Sequence, residues 1–222
     1  MILEIQGITK SYKRKSVLKG INLTAEKGQC IGILGGNGSG KSTLLSILAG
    51  VNRADDGTCL WNGKDLLKEE TLREEIVGYV PQGNPLMEEL TAWDNLRLWY
   101  DKADLKRELE DGVLAMLGIG DFIKIPVCQM SGGMKKRLSI GCAVASNPKL
   151  LLLDEPSAAL DLVCKARIGN YLERFKAKGG IILLATHDVQ ELTLCDSLYI
   201  LKDGILTPYQ YDGDVYHLVG KL

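Results

Sequence analysis

Histidine is nearly absent from this chain: there are two, His187 and His217. The six cysteines, Cys30, Cys59, Cys128, Cys142, Cys164 and Cys195, form no C-x-x-C pair. Together these shortages remove the donor set that a zinc cluster needs. Cys30 lies in an apolar, strand-like run and Cys142 in a helix-like one, so both read as buried free thiols of a reducing compartment. An excess of one charge is missing too. Lys+Arg number 27 and Asp+Glu 28, leaving a net charge of −1, too little to draw in DNA or anionic lipid by a global field. Any phosphate site must therefore be local. The densest positive run, Lys10, Lys13, Arg14 and Lys15, reads as a solvated turn, with help in attracting a nucleotide as the lesser reading. Long hydrophobic runs are also lacking. Apolar runs such as 150–153 and 181–185 are far too short to cross a bilayer. Residues 1–5 carry Glu4 and no basic segment before an apolar core, so no signal peptide is expected. The chain reads as soluble, with membrane contact only through a partner. No internal repeat, low-complexity tract or linker is present, and the length suits one large domain, with or without an inserted lobe.

What is present is organised. Residues 3–6 alternate, 17–24 alternate around Gly20, and 29–34 form an apolar run into a glycine-rich turn. Residues 42–49 carry a helical pattern closed by Gly50. Asp56-Gly57 and Asn62-Gly63 bracket a hairpin at 58–61, and 76–80 reads as a strand. From about 82 to 146 strand signals vanish, and 93–100, 105–117 and 134–145 are helix-like. Strands return at 150–153, 181–185 and 198–201. A helix at 162–178 stops at Gly179-Gly180, and Asp203-Gly204 makes a last turn before a short tail. Strand alternating with helix predicts an α/β fold with a parallel sheet, carrying a helical insertion.

Two motifs carry chemistry. Gly35-Gly36-Asn37-Gly38-Ser39-Gly40-Lys41-Ser42-Thr43 fits G-x-x-x-x-G-K-[ST] in full, after a strand and before a helix. Glycines let consecutive backbone N–H groups approach phosphate oxygens, and the helix adds its positive end. Lys41 can reach the β- and γ-phosphates, and Ser42 can offer its hydroxyl to Mg²⁺. The second motif is the apolar run 150–153 ending in Asp154-Glu155-Pro156. It delivers two acids at a strand's C-terminal end, where such sheets bind ligands. Asp154 can hold Mg²⁺ and Glu155 can act as a general base on attacking water.

Between them, Gln129-Met130-Ser131-Gly132-Gly133-Met134-Lys135-Lys136-Arg137 resembles the signature segment of the ABC (ATP-binding cassette) ATPases. The resemblance covers essentially the whole chain. It implies a P-loop NTPase core with a mostly parallel sheet, an N-terminal antiparallel β subdomain and an α-helical subdomain at about 83–146, within one domain spanning 1–222. It implies ATP and Mg²⁺ as ligands, and a second cassette packed head to tail. The helix opened by Ser131, Gly132 and Gly133 then closes over the other subunit's γ-phosphate. Tyr12 matches the residue that stacks on adenine. Gln82 matches the glutamine near Mg²⁺ and the attacking water, and begins the segment facing the membrane subunit. That subunit's coupling helix would be received around residues 83–95. Asp161, in Ser157-Ala158-Ala159-Leu160-Asp161, matches the loop that crosses the dimer, although alone it reads as a helix N-cap. His187 matches the switch histidine. His217 matches nothing and receives no role.

Met130 and Met134 depart from the leucine and glutamine usual in the signature. Met134 before basic residues, with Met87-Glu88-Glu89-Leu90-Thr91 and Asp94-Asn95-Leu96, is similar to drug- and antibiotic-export cassettes. The expectation is a cytoplasmic motor subunit at the membrane's inner face, joined to a separate permease and to a second cassette, identical or not. The few dozen residues after His187 leave no room for the added regulatory domain of many sugar-import cassettes. The alternative is a soluble ABC-type ATPase acting on ribosomes or DNA. Neutral charge, a single cassette and the lack of sustained heptads weigh against it.

Overall fold

The computed structural model describes residues 2–157 and 160–222; Met1, Ala158 and Ala159 lie outside them. Two strands open the chain, β1 (Ile2–Tyr12) and β2 (Lys15–Glu26), which pair antiparallel. A buried strand, β3 (Cys30–Leu34), then leads through the glycine-rich loop into α1 (Lys41–Leu48). The chain next adds β4 (Asp56–Trp61) and β5 (Lys64–Asp65), joined across Asn62-Gly63, and β4 also pairs with β1. These four form an antiparallel sheet in the order β2-β1-β4-β5. The central sheet uses β3 with β6 (Val77–Val80), β7 (Leu150–Asp154), β8 (Ile181–Ala185), β9 (Ser197–Lys202) and β10 (Ile205–Tyr209). Its order is β10-β9-β3-β8-β7-β6, parallel except for the antiparallel edge strand β10.

Strand pleating explains why β3, β7 and β8 read as unbroken apolar runs. Successive side chains point to opposite faces, and both faces are covered. Ile31, Ile33, Leu150, Leu152, Ile181 and Leu183 pack toward α1 and the antiparallel sheet. Cys30, Leu151, Leu153, Ile182 and Leu184 pack the other way, against the helical segment. Each fully buried leucine contributes roughly 1.5–3 kcal/mol of apolar burial.

The helical segment lies between β6 and β7. It comprises α3 (Ala92–Arg97), α4 (Lys102–Glu110), α5 (Val113–Met116), 3-10 turns at Ile119–Phe122 and Val127–Gln129, and α6 (Gly132–Ala143). Thr91 and Asp94 form a capping box at the start of α3. Asn95 is buried and bonds both backbone groups of Met87, so it pins the loop before α3. Arg137 of α6 donates to the Leu117 carbonyl at 2.8 Å and lies 4.9 Å from the Phe122 ring, tying α6 to the turn after α5. The later helices are α7 (Leu162–Ala177), α8 (Val189–Leu192) and α9 (Val215–Lys221).

Several sequence expectations need correction. Residues 105–117 are not one helix. Gly112 is extended, and the Glu108 carboxylate accepts from Val113 N at 2.8 Å, so α4 ends and α5 starts anew. Residue 76 belongs not to a strand but to helix α2 (Glu70–Ile76), which precedes β6 directly. The hairpin at Asn62-Gly63 is present, but Asp56-Gly57 lies inside β4. The tail after Asp203-Gly204 contains β10 and α9. Cys30 is buried but Cys142 is only half-buried, and all six thiols are free.

Candidate functional site

Five chemically capable groups meet at the C-terminal ends of the parallel strands. The glycine loop leaves β3, Gln82 follows β6, Asp154 ends β7, Glu155 follows it, and His187 follows β8. A parallel sheet brings these ends to one edge because every crossover returns the chain to the same side.

The loop itself is shaped by close approach. A Cβ on Gly35 would stand 2.4 Å from the Leu201 carbonyl and 2.6 Å from Ser39 Oγ. The Ser39 hydroxyl there is out of solvent with no hydrogen-bond partner. Gly40 caps α1 at φ 113, a left-handed conformation that only glycine adopts without strain. Lys41, the first residue of α1, is buried, and its ammonium donates to the Gly35 carbonyl at 2.7 Å. Burial pulls its pKa down, and the nearby Glu155 and Asp154 partly restore it.

The acids sit beside it. Asp154 is 2% exposed and its Oδ1 has no hydrogen-bond partner. Burial lifts its carboxyl above the ordinary range, opposed first by the Ser42 hydroxyl. Glu155 holds a left-handed backbone, φ 50, rare for a residue with a side chain and a place where functional sites store strain. Gln82 Nε2 donates to Glu155 Oε2 at 3.0 Å, and His187 Nε2 lies 3.1 Å from Glu155 Oε1. The same His187 nitrogen is 3.1 Å from Lys41 Nζ. Under His187, Thr186 donates to the buried Glu191 carboxylate, and Asp188 N donates to Thr186 Oγ1 at 2.9 Å. These bonds fix the exit from β8.

Lys41, Gln82, Glu155 and His187 thus form one contact network, with Asp154 and Ser42 adjoining. The other residues expected at the site stand apart from it. Ser131 caps α6, accepting from Met134 N at 3.3 Å, with Gly132 exposed. A Cβ on Gly133 would meet Cys164 Sγ at 2.7 Å, so the signature packs on the start of α7. Asp161 caps α7, accepting from Cys164 N at 2.8 Å, which also holds its carboxyl below the usual range. Ala158 and Ala159 of that loop lie outside the described residues. Tyr12 is 45% exposed at the end of β1, with Lys10 over its ring. Beyond it, Lys15, Ser16, Val17 and Lys19 of β2 face Gly36, Asn37, Gly38 and Ser39 across a cleft of about 300 Å³. Lys15 of the basic run therefore borders the glycine loop. Thr43 follows within α1, and its carbonyl accepts from the Ser46 hydroxyl at 2.9 Å. His217 pairs with Asp212 at the surface.

Sequence reasoning missed two groups here. Lys136 is 4% exposed and bonds the carbonyls of Pro81 and Gln82. Glu191 is buried beneath His187. Neither has a local pattern, since a lysine within Lys135-Lys136-Arg137 looks like any solvated basic run.

A family model described as ABC transporter matches residues 18–158. The Nod factor export ATP-binding protein I of Sinorhizobium fredii is 37% identical over 91% of this chain and 60% of its own length. The spermidine/putrescine import ATP-binding protein of Spiroplasma citri is 36% identical over 97% of this chain and 63% of its own. The chain thus spans less than two thirds of these two relatives. It spans 92% of the lantibiotic transport ATP-binding protein SrtF of Streptococcus pyogenes, 32% identical over 96% of this chain. Among solved structures, a dimeric ATP-binding cassette in a post-hydrolysis state bound to ADP and Pi superposes with a TM-score of 0.84 at 27% identity, covering 94% of this chain and 98% of that one. With the glycine loop, the paired acids and the signature helix in this arrangement, and a family match over more than half its length, the chain belongs to the ABC transporter family.

Proposed function

We propose that this cassette binds and hydrolyses ATP to drive a separate membrane permease. The observation that carries the reading is Glu155, held between Gln82 and His187 beside the phosphate-loop lysine. The backbone of Gly35, Asn37, Gly38, Ser39 and Gly40, with Lys41, Ser42 and Thr43, cradles the phosphates. Tyr12 stacks on the adenine from the β1 edge. Glu155 takes a proton from the attacking water, Gln82 orients that water, and His187 reaches the γ-phosphate. Asp154, Ser42 and Gln82 would hold Mg²⁺: an unpaired buried carboxylate oxygen beside a hydroxyl is a fitting hard-oxygen donor set. Among the described residues no group of three or more His, Cys, Asp or Glu side chains could hold a metal ion. The cation would therefore share its coordination with phosphate and water, supplying charge neutralisation there.

The whole of 1–222 acts as one cassette, with residues of about 83–146 as its helical subdomain. Two cassettes pair head to tail, so that Ser131, Gly132, Gly133 and Asp161 serve the partner's nucleotide. This accounts for their separation from the Lys41 network within one chain. Among the described residues no helix is long and apolar enough to cross a membrane. A groove of about 780 Å³ runs between the core and the helical segment, lined by Val51, Tyr79, Pro85, Leu86, Trp99 and Cys142 among others. Val51 and Trp99 are 68% and 65% exposed there, which suits a docking helix of the permease. The groove uses Pro85 and Leu86 of the expected 83–95 segment and otherwise draws on both flanking subdomains. The cassette works on the cytoplasmic face of the membrane. Export is the direction favoured by Met134 and by relatives named for Nod factor export and lantibiotic transport, against one named for import.

The test combines phosphate release by the purified chain with gentle solubilisation of native membranes. Mg²⁺-dependent hydrolysis and stoichiometric recovery of a multi-span membrane protein are expected. Recovery with ribosomal or DNA-bound proteins and no permease would overturn the transporter reading, and absent hydrolysis in the permease complex would overturn the motor.

A further inference from the structure

We infer that Lys136 is a positioning residue that carries the placement of the signature helix to Gln82 and so to Glu155. This rests on the hydrolytic reading of the site. Lys136 stands in the second turn of α6, five residues after the Ser131 cap. It is 4% exposed, and its ammonium donates to the Pro81 and Gln82 carbonyls at 3.0 Å each. Gln82 in turn donates to Glu155 Oε2 at 3.0 Å. One unbroken chain of contacts thus runs from α6, through the backbone of the segment after β6, to the acid that follows β7.

The chemistry of the anchor is specific. Two carbonyls share one cation, and an ammonium with three donors satisfies both without an acceptor of its own. Burial lowers the lysine's pKa, while Asp154, Glu155 and Glu191 hold it toward the charged form. The neighbouring Lys135 grips Glu88 further along the same segment at 2.9 Å. That pair is partly solvated and fixes the segment's far end, whereas Lys136 fixes the end that bears the glutamine. A shift or rotation of α6, such as closure on a partner's nucleotide, therefore moves Gln82 through a charged, two-pronged contact rather than through loose packing.

The experiment compares Lys136→Met, Lys136→Arg, Gln82→Ala and the Lys136→Met/Gln82→Ala double variant in the permease-bound or purified protein, with thermal melts to establish folding. Loss of positioning lowers kcat by about tenfold to a hundredfold, with KM for Mg-ATP little changed. Lys136→Arg, which keeps the charge and several donors, recovers most of that loss. In the Gln82→Ala background Lys136→Met causes no further drop, because both changes break one path. Equal losses in both backgrounds, or full turnover in Lys136→Met, overturns the inference. Amide hydrogen exchange at Gln82 and Gly83 reads the same link without catalysis. It should quicken in Lys136→Met and return in Lys136→Arg, and unchanged exchange overturns the inference. A wild type inactive in its permease complex would instead overturn the hydrolytic reading, and the exchange result still decides the anchor.

Discussion

Replacing Glu155 by glutamine separates chemistry from architecture. The volume is unchanged and one carboxylate oxygen becomes an amide nitrogen. In the structure Glu155 accepts from Gln82 and faces His187 Nε2, at 3.0 and 3.1 Å. The glutamine keeps one acceptor oxygen, so at most one of these contacts is lost, about 1 kcal/mol. That corresponds to a melting shift of about 2–4 °C for a domain of this size. The catalytic cost is far larger, because a general base contributes about a hundredfold to ten-thousandfold in rate. This is about 2.7–5.4 kcal/mol of barrier. Nucleotide affinity should hold, since Lys41 and the loop backbone are untouched and the loss of a charge beside Asp154 eases ionisation of that acid. Three readouts on one preparation suffice: phosphate release, binding of a fluorescent ATP analogue and a thermal melt. Turnover near that of the wild type with ATP bound refutes the role of Glu155 as base. A melting drop several times larger than predicted refutes the claim that its contacts are locally replaceable.

Asp154→Asn should abolish Mg²⁺-dependent hydrolysis yet raise stability at neutral pH by about 1 kcal/mol, the scale of one unsatisfied buried group. The sign follows from the raised carboxyl pKa: the folded chain binds this proton more tightly than the unfolded one. The native acid therefore costs stability above that raised pKa and ceases to do so as pH falls through it toward 3.8. The advantage of the variant should shrink across the same window, and a lower melting temperature at pH 7 would count against the argument. Trp99→Glu, at a residue 65% exposed beside the groove, should change stability by less than about 0.5 kcal/mol while abolishing recovery of the permease. Retained recovery would place the docking surface elsewhere. Gly78→Ala should destabilise by about 1–3 kcal/mol, because overpacking is costly and its Cβ would stand 2.6 Å from the Ala143 carbonyl. An unshifted melt would show that β6 and α6 can separate freely.

The sequence alone determined the parts whose physics is local. Strands β3, β7 and β8 were legible because both of their faces are buried, which makes them continuous apolar runs. The glycine loop was legible because close backbone approach demands glycine at positions such as Gly35. The helix Glu70–Ile76 escaped because Ile76 alone is buried among mostly charged residues. Strand β10 escaped because it is an edge strand containing Pro208, tolerated only where no neighbour needs its missing N–H. What only the tertiary structure decided is which residues meet. Glu155, Gln82, His187 and Lys41 come from four separate strand ends, and nothing in their local patterns fixes their mutual distances. The anchor from Lys136 to the Gln82 backbone spans 54 residues of sequence, and the buried state of that lysine is set by the acids and carbonyls the fold brings to it. Local periodicity records which face a residue presents, whereas contact across the sheet and its helical insertion is a property of how those faces are stacked.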